Sequence, residues 1–128
     1  MAQPDAYNPA RRADWLATCP TEEPMKATAI VPAYNEAERI RPVLHAIAGS
    51  TLVDEVIVVD DGSEDDTAAV AAAHNGALVL GLPRNRGKAG ALAAGVRKAA
   101  NPVVVFLDAD LVGLTEKHVD DLVAPVLS

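Results

Sequence analysis

Two carboxylates stand one residue apart in Phe106-Leu107-Asp108-Ala109-Asp110, directly after the apolar run Val103 to Leu107. A buried strand does not hold ionised groups in its interior, so the pair belongs where the strand leaves its sheet. Side chains at i and i+2 point the same way, and hard divalent cations prefer oxygen ligands. Asp108 and Asp110 are therefore candidates to share one metal ion. The bland alternative is a solvated loop, and the pair alone does not decide between the two. Polar clusters follow other apolar runs in the same manner: Tyr34-Asn35-Glu36, Asp60-Asp61-Gly62-Ser63 and Arg84-Asn85-Arg86-Gly87-Lys88. Each has its own bland reading. Asp-Gly-Ser before a helix is good capping and turn chemistry, so one Asp can cap while the other meets a ligand. Tyr34 is equally well explained by packing over a sheet end, and the cations by ordinary solvation, with Lys88 the strongest ligand candidate among them.

The elements that must position these residues are legible from hydrophobic periodicity. Thr28-Ala29-Ile30-Val31 is a short apolar strand that stops at Pro32. Ile40, Val43, Leu44 and Ile47 then fall on one helical face, with Pro42 early in the helix and Gly49 at its end. A second strand, Glu55 to Val59, leads to Asp60, and acidic Glu64, Asp65 and Asp66 precede an Ala-rich helix from Thr67 to His74. Ala77 to Leu80 forms the third strand. A helix over Lys88–Ala100 follows, with Leu92 and Val96 expected to face inward. The fourth strand, Val103 to Leu107, precedes a last helix with Val119, Leu122, Val123 and Val126 on one face. The runs are too continuously apolar for half-exposed strands. This alternation predicts an α/β fold: a doubly wound, mostly parallel sheet with helices on both faces.

Composition sets the limits. The 128 residues are 50% hydrophobic and 23% charged, which suits one globular domain over 27–128. Residues 1–26, rich in Pro and charge, read as a flexible tail with Trp15 its plausible anchor. A net charge of −7 argues against a nucleic-acid partner, which calls for a basic face. The lone Cys19 excludes an internal disulfide and is compatible with a reducing cytoplasm. His45, His74 and His118 lack metal-ligand spacing. No apolar run is long enough to span a bilayer, so the expectation is a cytoplasmic protein, with peripheral membrane contact left open. An exposed sheet edge or helix face would favour a homo-oligomer.

In a doubly wound sheet of order 3-2-1-4, ligands sit beyond the carboxyl ends of the strands, where strands 1 and 4 part. That order, here an assumption, brings carboxylates from strands 1, 2 and 4 to one crevice. Like charges about 4 Å apart repel by about 1 kcal/mol in water and about 4 kcal/mol near a protein surface. Such clustering is tolerable if some carboxylates hold a cation and others accept ligand hydrogen bonds. A divalent metal bridging Asp108 and Asp110 to a diphosphate, with Arg84, Arg86 and Lys88 meeting the remaining phosphate charge, satisfies both conditions.

Val31-Pro32-Ala33-Tyr34-Asn35-Glu36, Val58-Val59-Asp60-Asp61-Gly62-Ser63, Asn85-Arg86-Gly87-Lys88 and Phe106-Leu107-Asp108-Ala109-Asp110 resemble, in order and spacing, the motifs of family 2 glycosyltransferases. The flavour is similar to dolichol-phosphate mannosyltransferases and bacterial relatives. The resemblance implies a GT-A fold, with its Rossmann-like nucleotide-binding half, and inverting transfer from a nucleoside-diphosphate sugar (a UDP- or GDP-sugar). It implies that Pro32, Tyr34, Glu36, Asp60, Asp61, Arg84, Lys88, Asp108 and Ala109 line the donor-nucleotide site. Either Asp60 or Asp61 would accept a hydrogen bond from the base imide. Asp108 and Asp110 would hold Mg2+ or Mn2+ against the diphosphate. The acceptor is left open between a polyprenyl phosphate and a glycan.

The chain departs from the family pattern in three ways. Val112 stands where the family often has Gln, and Gly87-Lys88-Ala89-Gly90 replaces a Gly-Lys-Gly pattern. The catalytic base is expected beyond Ser128, as though the chain were truncated after its Asp-x-Asp motif, so little or no transfer is expected from these residues alone. The competing function is a non-catalytic nucleotide-sugar-binding module or subunit. A receiver-like phosphoacceptor domain fits poorly, because receivers place their acidic pair after strand 1 and the phosphorylated Asp after strand 3.

Overall fold

The computed structural model describes residues 25–127. The expected N-terminal tail, with Trp15 and Cys19, lies almost wholly outside the described residues. Among the described residues eight elements alternate: β1 (Ala27–Ala33), α1 (Ile40–Ala48), β2 (Val53–Asp60), α2 (Thr67–Ala73), β3 (Ala77–Gly81), α3 (Gly87–Lys98), β4 (Val103–Phe106) and α4 (Glu116–Leu127). The four strands form one parallel sheet of order β3-β2-β1-β4, as the crevice argument requires. Ile30 is opposite Ile57 on one side and Phe106 on the other, which aligns the carboxyl ends of β1, β2 and β4.

The handedness of the connections decides which helix covers which face. Both β1-α1-β2 and β2-α2-β3 step outward in one direction, so α1 and α2 share a face; the step from β3 back to β4 reverses direction and sends α3 to the other. The two buried clusters match. Ile40, Val43, Leu44 and Ile47 of α1 pack with Ala71 of α2, Val119 and Val123 of α4, and Ala29, Val31 and Val58 of the sheet. On the opposite face Ile30, Ile57 and Val59 pack under Ala91 of α3.

Two inward faces differ from the sequence expectation. In α3 the residues against the sheet are Ala91 and Gly95, whereas Val96 is 46% exposed and Leu92 only half-buried. The helix lies so close that a Cβ on Gly95 would come 2.5 Å from Ile30 Cγ2, so small residues rather than large ones mark the contact. In α4 Val119 and Val123 are buried but Leu122 and Val126 are exposed, because the helix packs at the β4 edge of the sheet through a narrow stripe. Among the described residues, no helix is long and apolar enough to cross a membrane.

The end of the sheet away from the four polar loops is tied by side chains. Thr28 Oγ1 donates to Glu55 Oε1 at 2.5 Å, and Asn101 Nδ2 donates to Thr28 Oγ1 and to Asp54 Oδ1 at 3.1 and 2.7 Å. These bonds hold the start of β4 beside β1 and β2, and so fix where Asp108 emerges.

Candidate active site

Leu107 continues the β4 ladder by one bond, donating its N–H to the Ile30 carbonyl at 3.1 Å, and its side chain is buried. The chain then leaves the sheet at Asp108, beside the carboxyl end of β1. Here, at the reversal of strand order, lies a cavity of about 310 Å³. β1 and its loop contribute Pro32, Ala33, Tyr34 and Glu36; the loop after β2 contributes Asp61; β3's loop and α3 contribute Asn85, Gly87 and Lys88; β4's loop contributes Asp108, Ala109 and Asp110.

The β1 loop is held open by hydrogen bonds to the β2 loop. Asn35 adopts φ 53°, a left-handed conformation that Asn tolerates better than most residues. Its N–H donates to Ser63 Oγ and its Oδ1 accepts from the Glu64 N–H, both at 2.9 Å. Glu36 donates its N–H to Thr67 Oγ1 at 2.9 Å, and the Thr67 hydroxyl donates in turn to the Asp65 carboxylate. That hydroxyl bond, reinforced by the N–H groups of Thr67 and Ala37, holds the Asp65 carboxyl below its usual pKa. Tyr34 thereby stays 43% exposed at the cavity instead of packing down over the sheet end. Glu36 Oε1 pairs with Arg39 Nη2 at 2.7 Å, while its Oε2 is buried with no hydrogen-bond partner among the described residues.

The two adjacent carboxylates where β2 ends divide their work. Asp60 Oδ1 accepts the Ser63 N–H at 3.0 Å and closes the turn; Asp60 is buried and does not line the cavity. Asp61, only 4% exposed, does line it, and its Oδ1 accepts the Arg86 N–H at 2.7 Å. Gly62 between the loops has φ 75°, and a Cβ there would meet Asn85 N at 2.6 Å. Asp61 and Gly62 thus seat the β3 loop and the start of α3, which carries Lys88. Arg84 belongs to this loop by its backbone, and its side chain does not line the cavity.

Lys88 Nζ forms an ion pair with Asp108 Oδ1 across the crevice. Asp110 lies on the same wall, more exposed. Among the described residues, four carboxylates and one lysine line the cavity, an arrangement that favours a cationic or metal-bound ligand. No group of three or more His, Cys, Asp or Glu gathers into a metal cage among the described residues. Two carboxylate side chains fit Mg2+ or Mn2+ of the kind that completes its shell with phosphate and water oxygens. The sequence reading did not single out Ala33, Asn85 and Gly87. Asn85 and Gly87 lay within a recognised motif, and Ala33 carries no polar signal beyond its place between Pro32 and Tyr34.

A parallel α/β sheet of this order, with motif residues from every strand end on one acidic crevice, defines a GT-A type domain. The chain belongs to glycosyl transferase family 2, whose family model matches residues 28–127. It is 36% identical over 96 residues to dolichyl-phosphate beta-glucosyltransferase ALG5C of Trichomonas vaginalis, covering 65% of this chain and 28% of that protein. It is 38% identical over 101 residues to 4,4'-diaponeurosporenoate glycosyltransferase of Staphylococcus aureus, covering 75% and 27% respectively. Among solved structures, glucosyl-3-phosphoglycerate synthase from Mycobacterium tuberculosis, in complex with Mn2+, UDP and phosphoglyceric acid, superimposes with a TM-score of 0.72 at 35% identity, over 81% of this chain and 39% of that one. S. aureus TarS 1-349 gives 0.68 at 28% identity, over 78% and 32%. The chain thus spans under a third of the length of these two curated relatives.

Proposed function

We propose that this chain is the donor-binding part of a metal-dependent, inverting glycosyltransferase that uses a nucleoside-diphosphate sugar. The observation that carries the reading is the crevice itself, where Glu36, Asp61, Lys88, Asp108 and Asp110 come together from all four strand ends. In this reading Tyr34 and Pro32 form the wall against the base, and Asp61, whose Oδ1 is committed to Arg86, offers its second oxygen to the base imide. Glu36 Oε2, buried and unpartnered among the described residues, is the acceptor for a donor hydroxyl. Asp60 acts through the turn it closes, and Arg84 supplies long-range positive charge. Ala109, buried between the two Asp residues, keeps that wall close to the ligand.

Asp108 and Asp110 would hold Mg2+ or Mn2+, which neutralises the diphosphate so that it can leave. Lys88 and the carboxylates would orient the donor so that the face of its anomeric carbon opposite the breaking bond to the diphosphate is open to an acceptor hydroxyl or phosphate oxygen. The relatives' names include a dolichyl phosphate and a phosphoglycerate, which supports an acceptor that differs between members, and the acceptor class is open here between a polyprenyl phosphate and a glycan. Peripheral contact with a cytoplasmic membrane face would suit the lipid-linked case.

Calorimetric titration with UDP and GDP, each with and without Mn2+, tests the reading. One nucleotide is expected to bind in a metal-dependent way, and Asp108→Ala to weaken it by about tenfold or more, the scale of one lost contact to a charged group. Absence of metal-dependent binding by the folded chain would overturn the reading. A second reading is a binding module without catalysis. It shares the same site, and assay of donor hydrolysis and transfer separates the two.

A further inference from the structure

Among the described residues Lys88 is the one cation lining the crevice, and it pairs with a proposed metal ligand. Its position on the second residue of α3 is fixed by the backbone, since Gly87 takes φ 82° and the Arg86 N–H is held by Asp61. The side chain itself is free to move: Lys88 is 61% and Asp108 45% exposed, so neither is clamped by packing. An exposed pair of this kind contributes little stability and is readily exchanged. A cation approaching Asp108 meets this ammonium first, and the two repel.

We propose that Lys88 is a counter-ion that holds the metal position until the nucleotide arrives. With no donor bound it neutralises Asp108 and excludes a divalent cation. When a nucleoside diphosphate enters, Lys88 exchanges the Asp108 carboxylate for a phosphate oxygen, and Asp108 is released to the metal. The device deepens the donor-site reading above and rests on it. It orders binding so that metal occupancy without nucleotide is suppressed, and by linkage the metal and the nucleotide favour one another.

The test is Mn2+ titration followed by electron paramagnetic resonance, and UDP or GDP titration without metal by calorimetry, at about 0.15 M salt, where charges beyond about 8 Å are screened. Lys88→Met is expected to bind Mn2+ alone about three- to tenfold more tightly than wild type, the range for removing one facing charge in water or near it. The same substitution is expected to bind metal-free nucleotide more weakly. Lys88→Arg should restore weak Mn2+ binding. Lys98→Met, the same charge change about 15 Å along the helix, should leave Mn2+ affinity within about twofold of wild type. Opposite signs for metal and nucleotide are the signature, since loss of folding or of packing would weaken both. If Lys88→Met leaves Mn2+ affinity within twofold, or moves both affinities in one direction, the counter-ion proposal is wrong while the donor site stands. If wild type binds no nucleotide with or without Mn2+, both fall.

Discussion

Asp60 and Asp61 are chemically identical neighbours, and their surroundings give them different work. Asp60 closes a turn through the Ser63 N–H; Asp61 seats the next loop through the Arg86 N–H and faces the cavity. The order of residues alone did not assign these roles, because both carboxylates lie where a strand ends and only the neighbouring loop decides which is reached. Asp61→Ala should cost about 1–3 kcal/mol in denaturant unfolding, because it strands a part-buried N–H, whereas Asp61→Asn, which keeps the acceptor, should cost less. Glu36 should behave in the opposite way. Its paired oxygen belongs to an ion pair with an exposed Arg39 and its other oxygen has no partner among the described residues, so Glu36→Ala should move stability by less than about 1 kcal/mol yet weaken nucleotide binding. Asp65 contributes a pH dependence. Its carboxyl is held below the usual value chiefly by the Thr67 hydroxyl, so the clamp's contribution is complete above the ordinary carboxylate range and is lost as pH falls through the lowered value. Urea midpoints followed into acid should therefore fall further for wild type than for Asp65→Asn; parallel curves would remove Asp65 from the account.

Among the elements, the strands were the most legible, since short continuous apolar runs bounded by Pro, Asp and Gly leave little choice. Helix α1 was equally plain, its large residues spaced at three and four. Helix α3 was not. Its sequence is mostly Ala and Gly with few large residues, and the expectation of an inward Val96 follows from weighting size. The structure instead brings α3 against the sheet through Gly95, where absence of a side chain is the signal. The two substitutions that separate these pictures are Gly95→Ala and Val96→Ala. The first inserts a methyl group within 2.5 Å of Ile30 Cγ2 and should cost about 1–3 kcal/mol; the second removes atoms from an exposed position and should stay within about 0.5 kcal/mol. Thermal melts reversing that order would place the helix with the wrong face down. Helix α4 shows the same limit more mildly, as an apolar residue on a helix at a sheet edge has no guarantee of a neighbour.

For the molecule as a whole, the reversal of strand order joins fold to site. A sheet that grows outward from β1 to β3 and then resumes at β4 leaves two loops diverging at one point, and Tyr34, Glu36, Asp108 and Asp110 stand on them. The four motifs were legible separately in the sequence; their convergence needed the order, which an alternation of strands and helices does not fix by itself. Arg84 shows what topology leaves undetermined, since its backbone lies in the right loop and its side chain does not line the cavity. The central claim is that nucleotide and metal meet in this crevice. Paramagnetic broadening of backbone amide resonances by Mn2+, with and without UDP or GDP, locates the ion directly. Nucleotide-dependent broadening is expected, centred on Asp108, Ala109 and the start of α3. Broadening centred elsewhere, for instance on the acidic β2-α2 loop near Asp65 and Asp66, or none with either nucleotide, would contradict it.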